Sequence, residues 1–339
     1  MHLPKVAVVI IHWNNKHLLE KFLPSVLAST YKNLEIVVAD NNSSDDSVEW
    51  LKKIYPQLTV LALPQNYGYA GGYNNALPQI KADYFVLLNN DVEVTPGWIE
   101  PVIDALENTP KAVAAQPKIL QYNKRNFFEY AGAAGGYIDM LGYAFCKGRL
   151  FEYLEEDNGQ YDDIFECFWA SGACLFIKRQ AFFEAGGFDI DFFAHMEEID
   201  LCWRIQLLNY KVIAVNKSVV YHLGGSTLQK ASPQKTFLNF KNNLVMLLKN
   251  LPICTLIWLL PLRSFLDLLS SIFFLINGMP KHSWAVHRAH AQFFFKFGKW
   301  YGMRSKTNKK PFKKLTGTYK GSIVFEHFIG GKKQIDHLS

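Results

Sequence analysis

The stretch L-E-I-V-V-A-D-N-N-S-S-D-D-S-V-E-W-L-K-K-I, residues 34–54, predicts a strand, a polar turn and a helix in direct succession. Residues 34–39 form the short apolar run that a buried strand needs, and a polar triplet follows at 40–42. Helical spacing begins at residue 45 and continues to residue 54, with Ser43 or Ser44 as the N-cap. The stretch therefore indicates one strand–helix unit of a parallel sheet.

The same alternation occurs on both sides of this stretch. Strands are predicted at 6–13, 58–63 and 84–88, and helices at 16–28 and 70–80. Short apolar strands that alternate with helices are typical of parallel βαβ units with helices on both faces of the sheet. Ligands of such sheets bind beyond the carboxyl ends of the strands, where Asn14, Asp40 and Asp91 lie. We therefore expect these three side chains to converge on one crevice.

The chain after residue 121 is less regular. Residues 122–166 are rich in glycine and aromatic residues, and they indicate an excursion or lid. Strands are then predicted at 168–177 and 211–215, and helices at 179–184 and 197–208. Together with the N-terminal units, this pattern predicts an α/β fold with a mostly parallel sheet.

Composition narrows the class of protein. Of 339 residues, 49% are hydrophobic and 19% are charged, which excludes a disordered or collagen-like chain. The length fits one large domain or two smaller ones. The five cysteines form no C-x-x-C pair, which argues against a disulfide scaffold or a structural zinc site and suits a reducing compartment. The apolar run at 6–11 is too short for a signal peptide.

Charge is distributed unevenly along the chain. Residues 1–240 carry 20 Lys and Arg against 27 Asp and Glu, whereas residues 241–339 carry 16 against 3. A basic, aromatic C-terminal third indicates a polyanionic partner, either a membrane leaflet or a nucleic acid. The sequence has no nucleic-acid-reading motif, and a buried dimerisation element is the soluble alternative. We expect an anionic membrane surface, to which each nearby basic residue contributes about 1 kcal/mol.

Residues 252–280 are the most apolar part of this third. A membrane span needs about 20 consecutive apolar residues, but the charge-free windows at 250–262 and 268–280 have 13 residues each. Arg263 and Asp267 separate the windows, although their i,i+4 spacing allows them to pair. Pro261 also disfavours one straight helix. A re-entrant hairpin or interfacial helices therefore fit this segment better than a simple span.

Six motifs occur in a fixed order along the chain. They are V-A-V-V-I-I-H-W-N-N (6–15), V-V-A-D-N-N-S-S-D-D-S (37–47), N-Y-G-Y-A-G-G-Y-N (66–74), L-L-N-N-D-V-E-V (87–94), G-G-F-D-I-D-F-F (186–193) and E-E-I-D-L-C-W-R (197–204). The ordered set resembles the family 2 glycosyltransferases of the GT-A fold, and within them the rhamnosyltransferase-like branch. The resemblance covers residues 5–225 and implies a GT-A domain at 1–235. The remainder is then a helical, membrane-associated region at 236–302 and a basic tail at 303–339.

The resemblance assigns donor binding to the first four motifs. Asp40 occupies the position that accepts a hydrogen bond from the donor's base or ribose, and an ordinary Asx turn is the alternative. The glycine-rich entry at 66–74 lets the backbone approach a ligand, or makes a tight turn. It lacks the G-x-G-x-x-G spacing after the first strand, which disfavours a dinucleotide-binding dehydrogenase. The residues assigned to the donor are Asn14, Asp40, Asn66, Gly68, Asn74, Asn90 and Asp91.

Residues 89–91 occupy the D-x-D position of the family, where oxygen ligands bind Mg²⁺ or Mn²⁺ on the donor's diphosphate. Asp91 is the acid of this triplet, and Asn89 stands where many relatives have the first Asp. His222 occupies a position near the diphosphate or metal, although a lone His after a strand can also be structural. We expect a divalent cation held by Asn89, Asp91 and His222, with modest affinity because an amide ligates weakly.

Residues 197–200 occupy the E-D-x-D position, whose second acid is the general base, so Glu198 is expected to deprotonate the acceptor hydroxyl. Three carboxylates in one turn should raise at least one pKa, as a base needs. Acidic residues that favour the helix dipole are the alternative, which fits Glu197 better than Glu198. Arg204, four residues after Asp200, is expected to pair with it.

Further residues are assigned to the acceptor site or to its support. Trp169, Ser171 and Gly172 occupy positions where the acceptor meets the donor sugar, with core packing as the alternative for Trp169. Asp191 lines the acceptor site or simply turns the chain. The complete supporting set is Trp169, Ser171, Gly172, Asp191, Glu197, Asp200 and Arg204.

The assignments imply an inverting transferase that moves a sugar from a nucleotide diphosphate sugar to a hydroxyl of a lipid-linked glycan, in cell-surface polysaccharide synthesis. The branch favours dTDP-rhamnose as donor, with UDP-hexoses as the alternative. The basic third suggests a cytoplasmic enzyme, peripheral or monotopic on the inner face of the cell membrane, and is compatible with a homo-oligomer. A non-catalytic nucleotide-sugar-binding or scaffold protein of the same fold is the alternative, and a nicotinamide-dependent oxidoreductase is a distant third.

Overall fold

The computed structural model of the chain describes residues 3–224, 232–304 and 309–334. Its strands are β1 (Val6–His12), β2 (Leu34–Asp40), β3 (Thr59–Ala62), β4 (Tyr84–Asn89), β5 (Val92–Val94), β6 (Ala112–Gln121), β7 (Gly136–Asp139), β8 (Ala144–Cys146), β9 (Arg149–Leu150), β10 (Tyr153–Leu154), β11 (Ile164–Cys167), β12 (Cys174–Lys178), β13 (Lys211–His222) and β14 (Thr318–Tyr319). Its helices are α1 (Lys16–Leu27), α2 (Ser47–Ile54), α3 (Gly68–Ala76), α4 (Glu100–Asn108), α5 (Arg179–Glu184), α6 (Glu197–Leu207), α7 (Pro233–Asn250), α8 (Ile253–Ile276), α9 (Pro280–Phe295), α10 (Phe297–Gly302) and α11 (Ile323–Phe328). Short 3-10 turns cover Leu77–Gln79, Ile190–Phe192 and Phe312–Lys314.

The predicted parallel units form one half of the main sheet. β1 lies between β2 and β4 and is parallel to both, and β3 continues the parallel order beyond β2. Side chains of β1 alternate between two cores: Val6, Val8 and Ile10 join the core that contains α1 and α4, whereas Ala7 and Val9 join the core of α3 and α5. Helices cover both faces, which is why these strands are continuously apolar.

The other half of the sheet is mixed. β12 is antiparallel to β4 and β6, β13 is parallel to β6, and β5 and β11 are antiparallel to β13. The predicted strand 168–177 is wrong, because β11 and β12 lie at different places in the sheet and residues 168–173 cross between them. The crossing turns at Ser171, whose carbonyl accepts a 3.2 Å hydrogen bond from the Cys174 N–H. The order is β11-β13-β6-β12-β4-β1-β2-β3, with β5 on β13.

Four short strands of the predicted lid at 122–166 form, together with β14, a second sheet of order β10-β9-β8-β7-β14. The indole of Trp169 ties this sheet to the main one, since its Nε1 donates a 2.9 Å hydrogen bond to the Tyr137 carbonyl of β7. β14 comes from the C-terminal segment and is parallel to β7. The excursion is therefore an ordered layer, and a strand from the C-terminal segment completes it.

The helices after residue 232 differ from the expectation in two ways. Residues of α7 from Leu244 to Leu248 belong to the same core as α3, α5 and α6. Packing therefore continues across the predicted domain boundary at 235/236, and the boundary itself stays a prediction. α8 is one continuous helix through Pro261, so the expected break there is wrong. Pro261 lies on the exposed side of α8. The predicted Arg263–Asp267 pair is confirmed at 3.4 Å.

The segment predicted as a basic tail is packed against the α/β body where it is described. The Phe312 ring lies 5.2 Å from the ring of Trp203 in α6, and Gln206 Oε1 accepts a 2.8 Å hydrogen bond from the Thr316 N–H. Apolar residues within the basic run, together with β14, hold the segment in place, so a free tail is the wrong description. Residues 305–308 and 335–339 of the predicted tail lie outside the described ranges.

Candidate functional site

The carboxyl ends of β1, β2 and β4 meet around the buried imidazole of His12. Its Nε2 lies 2.9 Å from the Ser47 hydroxyl of α2, and its Nδ1 lies 3.0 Å from the side-chain nitrogen of Asn90. The His12 carbonyl accepts a 2.7 Å hydrogen bond from the Asn41 N–H. Burial lowers the pKa of His12 more than nearby carboxylates raise it, so the ring is neutral at pH 7. The predicted convergence of strand ends is thus observed, with His12, which no assignment included, at its centre.

Asp40 and Asn14, both assigned to the donor, lie on one hydrogen-bonded turn. The Asp40 carboxylate accepts hydrogen bonds from the N–H and the hydroxyl of Ser43, at 3.0 and 2.5 Å. The Asn14 N–H donates to the Ser43 hydroxyl at 2.8 Å, and Asn14 Oδ1 accepts from the Ser44 N–H at 2.8 Å. The expected N-cap of α2 is therefore wrong, because this turn uses both serines and Asp46 occupies the N-cap position. The Asx-type turn holds Asp40 at the carboxyl edge of the sheet.

Asn41 ties the glycine-rich entry of α3 to the end of β2. Its side-chain nitrogen donates to Asn66 Oδ1 at 3.0 Å and to the Gly68 carbonyl at 2.9 Å. Gly68 has a φ of +70°, and a Cβ there would lie 2.6 Å from the ring of Phe193, so the position needs glycine. Asn66 and Gly68 therefore lie beside the strand end that carries Asp40.

The predicted metal ligands Asp91 and His222 are in contact. His222 is the last residue of β13, and its Nε2 lies 3.1 Å from Asp91 Oδ1. Its Nδ1 lies 3.5 Å from Oε2 of Glu129, a residue of the irregular region that no motif pointed to. Burial alone would lower the pKa of His222, but the charges of Asp91 and Glu129 outweigh it and raise the pKa to about 10.

These side chains fit a divalent cation that binds together with a diphosphate. Asp91 offers carboxylate oxygens and the half-buried Asn89 an amide oxygen. His222 offers an imidazole nitrogen once a binding cation displaces its proton, and Mg²⁺ or Mn²⁺ can bind all three groups. Within residues 3–224, 232–304 and 309–334, no group of three or more His, Cys, Asp or Glu side chains forms a complete cation site. The donor set is therefore a partial one, as expected where phosphate oxygens and water supply the remaining ligands.

Glu197 and Glu198 begin α6 with buried carboxyl oxygens. Oε2 of each has no hydrogen-bond partner among the residues that the structure describes. Burial raises the pKa of Glu198 to about 7, and burial together with the neighbouring Glu198 raises the pKa of Glu197 well above its usual value. The predicted rise is thus present in both residues. A carboxylate with a pKa near 7 can take up a proton at neutral pH.

Asp200 differs from the two glutamates. Its carboxylate is fully buried and accepts hydrogen bonds from Arg204 Nε at 2.8 Å, Asn250 Nδ2 at 2.7 Å and Lys249 Nζ at 3.2 Å. Burial would raise the pKa of Asp200, but Lys249 and Arg204 outweigh it and lower the pKa. The predicted Asp200–Arg204 pair is confirmed, and this carboxylate anchors α6 while it stays charged.

α7 holds the segment that leads into α6. The side-chain nitrogen of Asn242 lies 3.0, 2.9 and 2.7 Å from the carbonyl oxygens of Phe192, Ala194 and His195. In this segment His195 and Met196 have positive φ angles of 69° and 72°, a conformation that persists in such residues only where surrounding contacts hold it. Asn242 therefore fixes the direction in which the Glu197–Glu198 turn points.

A chain of contacts joins the glutamates to the Asp91 side. The Tyr69 N–H donates a 3.0 Å hydrogen bond to the Phe193 carbonyl, in the segment that leads into α6. The Tyr69 hydroxyl donates a 2.7 Å hydrogen bond to the Gly172 carbonyl. The carbonyl of the next residue, Ala173, accepts a 3.0 Å hydrogen bond from the Asn89 N–H. The segment that begins α6 with Glu198 and the 89–91 triplet are thus connected through Tyr69, Gly172 and Ala173.

Four other assigned side chains are engaged within the protein. Their partners, at 2.7–2.9 Å, are the Phe188 backbone for Asn74, the Tyr137 carbonyl for Trp169, the Ala131 carbonyl for Ser171 and Lys299 Nζ for Asp191. Asn74 therefore faces the 186–193 motif rather than the strand ends. Trp169 is 5% exposed, so core packing, the alternative to its acceptor assignment, describes its position.

Protein covers the acidic groups of the site. Asp40 and Asp91 are each 3% exposed. A small recess lies beside Cys146 in the second sheet, and an open one lies near Lys5 at the amino ends of the strands. Neither of these two recesses is lined by Asp40, Asp91 or Glu198, so the expected crevice is not one of them. Entry of a ligand between the three carboxylates requires the covering side chains to move.

Comparison with known proteins agrees with the motifs. The sequence model of the family described as Glycosyl transferase family 2 matches residues 7–182, slightly more than half of the chain. N-acetylglucosaminyl-diphospho-decaprenol L-rhamnosyltransferase of Mycobacterium tuberculosis is 27% identical over 235 residues, which cover 64% of this chain and 75% of that protein. Poly-beta-1,6-N-acetyl-D-glucosamine synthase of Staphylococcus aureus is 26% identical over 211 residues, 61% of this chain and 47% of that protein.

Two solved structures share the fold. GalNAc-T7 with UDP, GalNAc and Mn²⁺ has a TM-score of 0.59 at 16% identity, covering 89% of this chain and 59% of that one. Mannosyltransferase PcManGT from Pyrobaculum calidifontis, in complex with GDP-Man and Mn²⁺, has a TM-score of 0.51 at 16% identity, covering 90% of this chain and 85% of that one. These likenesses confirm the predicted GT-A α/β fold. With the family match, they show that the chain belongs to glycosyl transferase family 2.

Proposed function

We propose that the chain transfers one sugar, with inversion, from a nucleotide diphosphate sugar to a hydroxyl of a lipid-linked glycan in cell-surface polysaccharide synthesis. The observation that supports this proposal is a hydrogen-bonded connection through Tyr69, Gly172 and Ala173. It joins the segment that begins α6 with Glu198 to the 89–91 triplet, whose Asp91 pairs with His222. Ligands for a diphosphate on one side and a basic carboxylate on the other are what displacement at an anomeric carbon needs.

The donor is proposed to bind along the ends of β1, β2 and β4. Asp40 keeps acceptor capacity for a ribose or base group beyond its two bonds to Ser43. Asn66 and Asn90 offer amide groups, and Gly68 leaves the backbone open to close approach. A dTDP-linked rhamnose is favoured because one relative is named a rhamnosyltransferase, and a UDP-linked hexose is the alternative.

Asp91, His222 and Asn89 are proposed to hold Mg²⁺ or Mn²⁺. The cation supplies positive charge that stabilises the departing nucleotide diphosphate. Glu129 lies on the far side of the His222 ring, where a carboxylate fixes the orientation of a ligating histidine. His12 contacts the Asn90 amide at 3.0 Å and so holds the residue that precedes Asp91.

Glu198 is proposed as the general base. Its carboxylate takes the proton of the acceptor hydroxyl while that oxygen forms a bond to the anomeric carbon and the bond from this carbon to the diphosphate oxygen breaks. The buried Oε2 has no hydrogen-bond partner among the described residues, so it can accept that proton without losing a protein contact. Asp200, bonded to Lys249, Arg204 and Asn250, stays charged and keeps the turn in place.

The acceptor and the cellular setting are proposed from the relatives and from the basic third of the chain. The Mycobacterium tuberculosis relative is named for a decaprenol-linked acceptor. An acceptor of that kind lies at a membrane, so we propose a cytoplasmic enzyme on the inner face of an anionic membrane, without a nucleic-acid partner. A homo-oligomer is compatible with this arrangement.

The deciding experiment compares Glu198→Gln and Asp91→Ala with the matched surface variants Glu184→Gln and Asp104→Ala. Sugar transfer and donor hydrolysis are measured over a panel of nucleotide diphosphate sugars, with and without Mn²⁺. We expect transfer to fall by about 10²-fold or more in the two site variants and to be unchanged in the surface variants. Glu198→Gln should retain Mn²⁺-dependent nucleotide binding.

Two results would count against this assignment. Wild-type turnover in both site variants would overturn the roles of Glu198 and Asp91. Metal-dependent nucleotide binding by the wild-type chain, without turnover across the panel, would favour the non-catalytic alternative, for which Asn89 at the first D-x-D position is the motivating departure.

A further inference from the structure

Helix α8 has two very different faces. Ten of its large apolar side chains are each at least 44% exposed, among them Ile257, Trp258, Phe265, Ile272 and Ile276. At 3.6 residues per turn, these ten positions cover an arc of about 200° along the whole helix, here called the apolar arc. The two charged residues of α8 are buried on the opposite face.

The inner face of α8 is fixed to the protein by polar contacts. Arg263 donates a 2.9 Å hydrogen bond to the Leu141 carbonyl of the second sheet's β7–β8 turn, and its guanidinium lies 3.7 Å from the centre of the Tyr143 ring. The fully buried Asp267 pairs with Arg263 at 3.4 Å and with His290 of α9 at 3.0 Å. The inner face of α8 is thus part of the folded body.

Apolar surface continues from the apolar arc onto neighbouring helices. The ring of Phe273 in α8 lies 6.4 Å from the ring of Phe328 in α11, which is 61% exposed. Trp284 and Phe295 of α9 are 65% and 89% exposed. Exposed apolar surface of this extent in a water-soluble body marks a site of interaction.

The same part of the molecule is strongly basic. Residues 232–304 and 309–334 contain two acids, of which Asp267 is buried and Glu326 pairs with Lys332 at 2.7 Å. Exposed cations include Lys281, Arg288 and Lys296. Apolar surface among unpaired cations complements anionic lipid, whereas a second copy of the chain would bring like charges together.

We propose that α8 lies in the plane of an anionic membrane, with the apolar arc at the boundary between headgroups and acyl chains. With 24 residues, α8 is about 36 Å long, and by length and composition it could cross a hydrocarbon core of about 30 Å. Crossing would carry Leu141, Asp267 and His290 into hydrocarbon, because they are bonded to the inner face of the helix. An in-plane position buries the apolar arc and leaves those contacts intact.

Vesicle flotation tests the membrane contact with the full chain. We expect flotation with vesicles that contain phosphatidylglycerol, and much less with pure phosphatidylcholine. Leu268→Glu combined with Ile272→Glu should weaken flotation about tenfold or more, because both positions lie on the apolar arc. Ile54→Glu, at the exposed end of α2, should bind like the wild type. All of these positions are exposed, so unchanged thermal unfolding without lipid checks the fold.

Cysteine labelling then separates an in-plane helix from a spanning one. Cys254 is exposed near the start of α8, whereas the other four cysteines are buried. Anionic vesicles should protect Cys254 from a membrane-impermeant maleimide. In the Cys254→Ser background, Thr255→Cys and Asn277→Cys mark the two ends of α8. In sealed inverted membrane vesicles, whose cytoplasmic face is outward, both ends should react without detergent.

Each contrary result overturns the proposal. Reaction at one end of α8 but not the other identifies a spanning helix. Equal flotation of the double Glu variant, or unchanged Cys254 reactivity with vesicles, means that the apolar arc does not enter lipid. A lipid-free dimer in which Cys254 is already protected means that a second copy covers the arc. None of these readouts depends on sugar transfer, so their failure is distinct from failure of the proposed function.

Discussion

Helices α7 and α8 follow each other in the chain, yet their polar and apolar residues are placed in opposite ways. α7 buries five Lys and Asn side chains, whereas α8 exposes ten large apolar ones. Four of these five side chains bond to carbonyls and carboxylates around the start of α6, and the fifth, Asn243, bonds to the Gly142 carbonyl. Hydropathy alone would expose the polar side chains of α7 and bury the apolar ones of α8. The partner that the fold offers a side chain, and not only its own polarity, decides whether the side chain is stable in the interior.

The largest effect on stability should come from the α7 cation at Asp200. Lys249→Met leaves Asp189 and Asp200 without this partner in the interior, which should lower the free energy of unfolding by about 3–5 kcal/mol. Lys299→Met, which removes an exposed pair with Asp191, should cost less than about 1 kcal/mol. Urea unfolding measures both. Equal losses would mean that the buried ion pairs of Lys249 stabilise the fold no more than the exposed pair of Lys299.

The next effect separates position from stability within α7. Asn242→Leu removes the contacts to three carbonyls before α6, whereas Asn243→Leu removes a 2.8 Å bond to the distant Gly142 carbonyl. Each should cost about 1–3 kcal/mol of stability. Turnover at saturating donor should fall on the order of 10²-fold in Asn242→Leu alone, because a displaced base loses its geometry. Similar turnover in the two variants would mean that Asn242 does not position Glu198.

A pH profile of the reaction rate tests whether burial by the segment that α7 holds sets the pKa of the two glutamates. Because burial raises the pKa of Glu198 to about 7, its base form is lost as pH falls below that value. Initial rates at saturating Mn²⁺ should therefore drop about tenfold per pH unit below about 7 and level off above it. The midpoint belongs to the Glu197–Glu198 pair, since the two carboxyl groups interact.

Asn242→Leu should shift this acid limb toward lower pH, because a loosened segment admits water to the carboxyl groups. The control, Asn243→Leu, should keep the wild-type midpoint. A rate that is flat from pH 5.5 to 8.5 would exclude a buried carboxylate as the base.

The smallest effect should come from the apolar arc of α8. In lipid-free solution, Ile257→Ser and Ile276→Ser should change the free energy of unfolding by no more than about 0.5 kcal/mol, because these side chains are 71% and 79% exposed. Leu259→Ala on the buried face of the same helix should cost about 2–5 kcal/mol. Thermal or urea unfolding compares them. A large loss in the two exposed variants would mean that protein covers the arc in solution.

The N-terminal half of the fold could be predicted because its signals are local. The apolar runs of β1, β2 and β4 are buried on both faces, and polar residues at their ends follow from the parallel order. Pairing of Asp200 with Arg204 follows from helical spacing alone. Position within a motif predicts Glu198 as the base, which stays a prediction, and burial raises the pKa of this residue.

The remaining features depend on contacts between distant parts of the chain. Glu129 lies in an irregular segment, and its proximity to His222 exists only once β13 and the second sheet are assembled. Asn242 is 46 residues or more beyond the carbonyls that it bonds, and no local pattern links them. The strand predicted at 168–177 hid a crossing between two strands, because a local pattern does not report which neighbours a strand has.

β14 is the last strand of the described chain, and it pairs with β7, which belongs to the middle of the sequence. A carboxylate oxygen of Asp139, at the end of β7, also receives the N–H of Ile323 at 3.0 Å. Because a ribosome makes β7 first, this sheet keeps an open edge while helices α5 to α10 emerge during synthesis. A prematurely terminated product would retain that edge, exposed to pairing with other chains. The second sheet is therefore complete only after residues 318–319 have been synthesised.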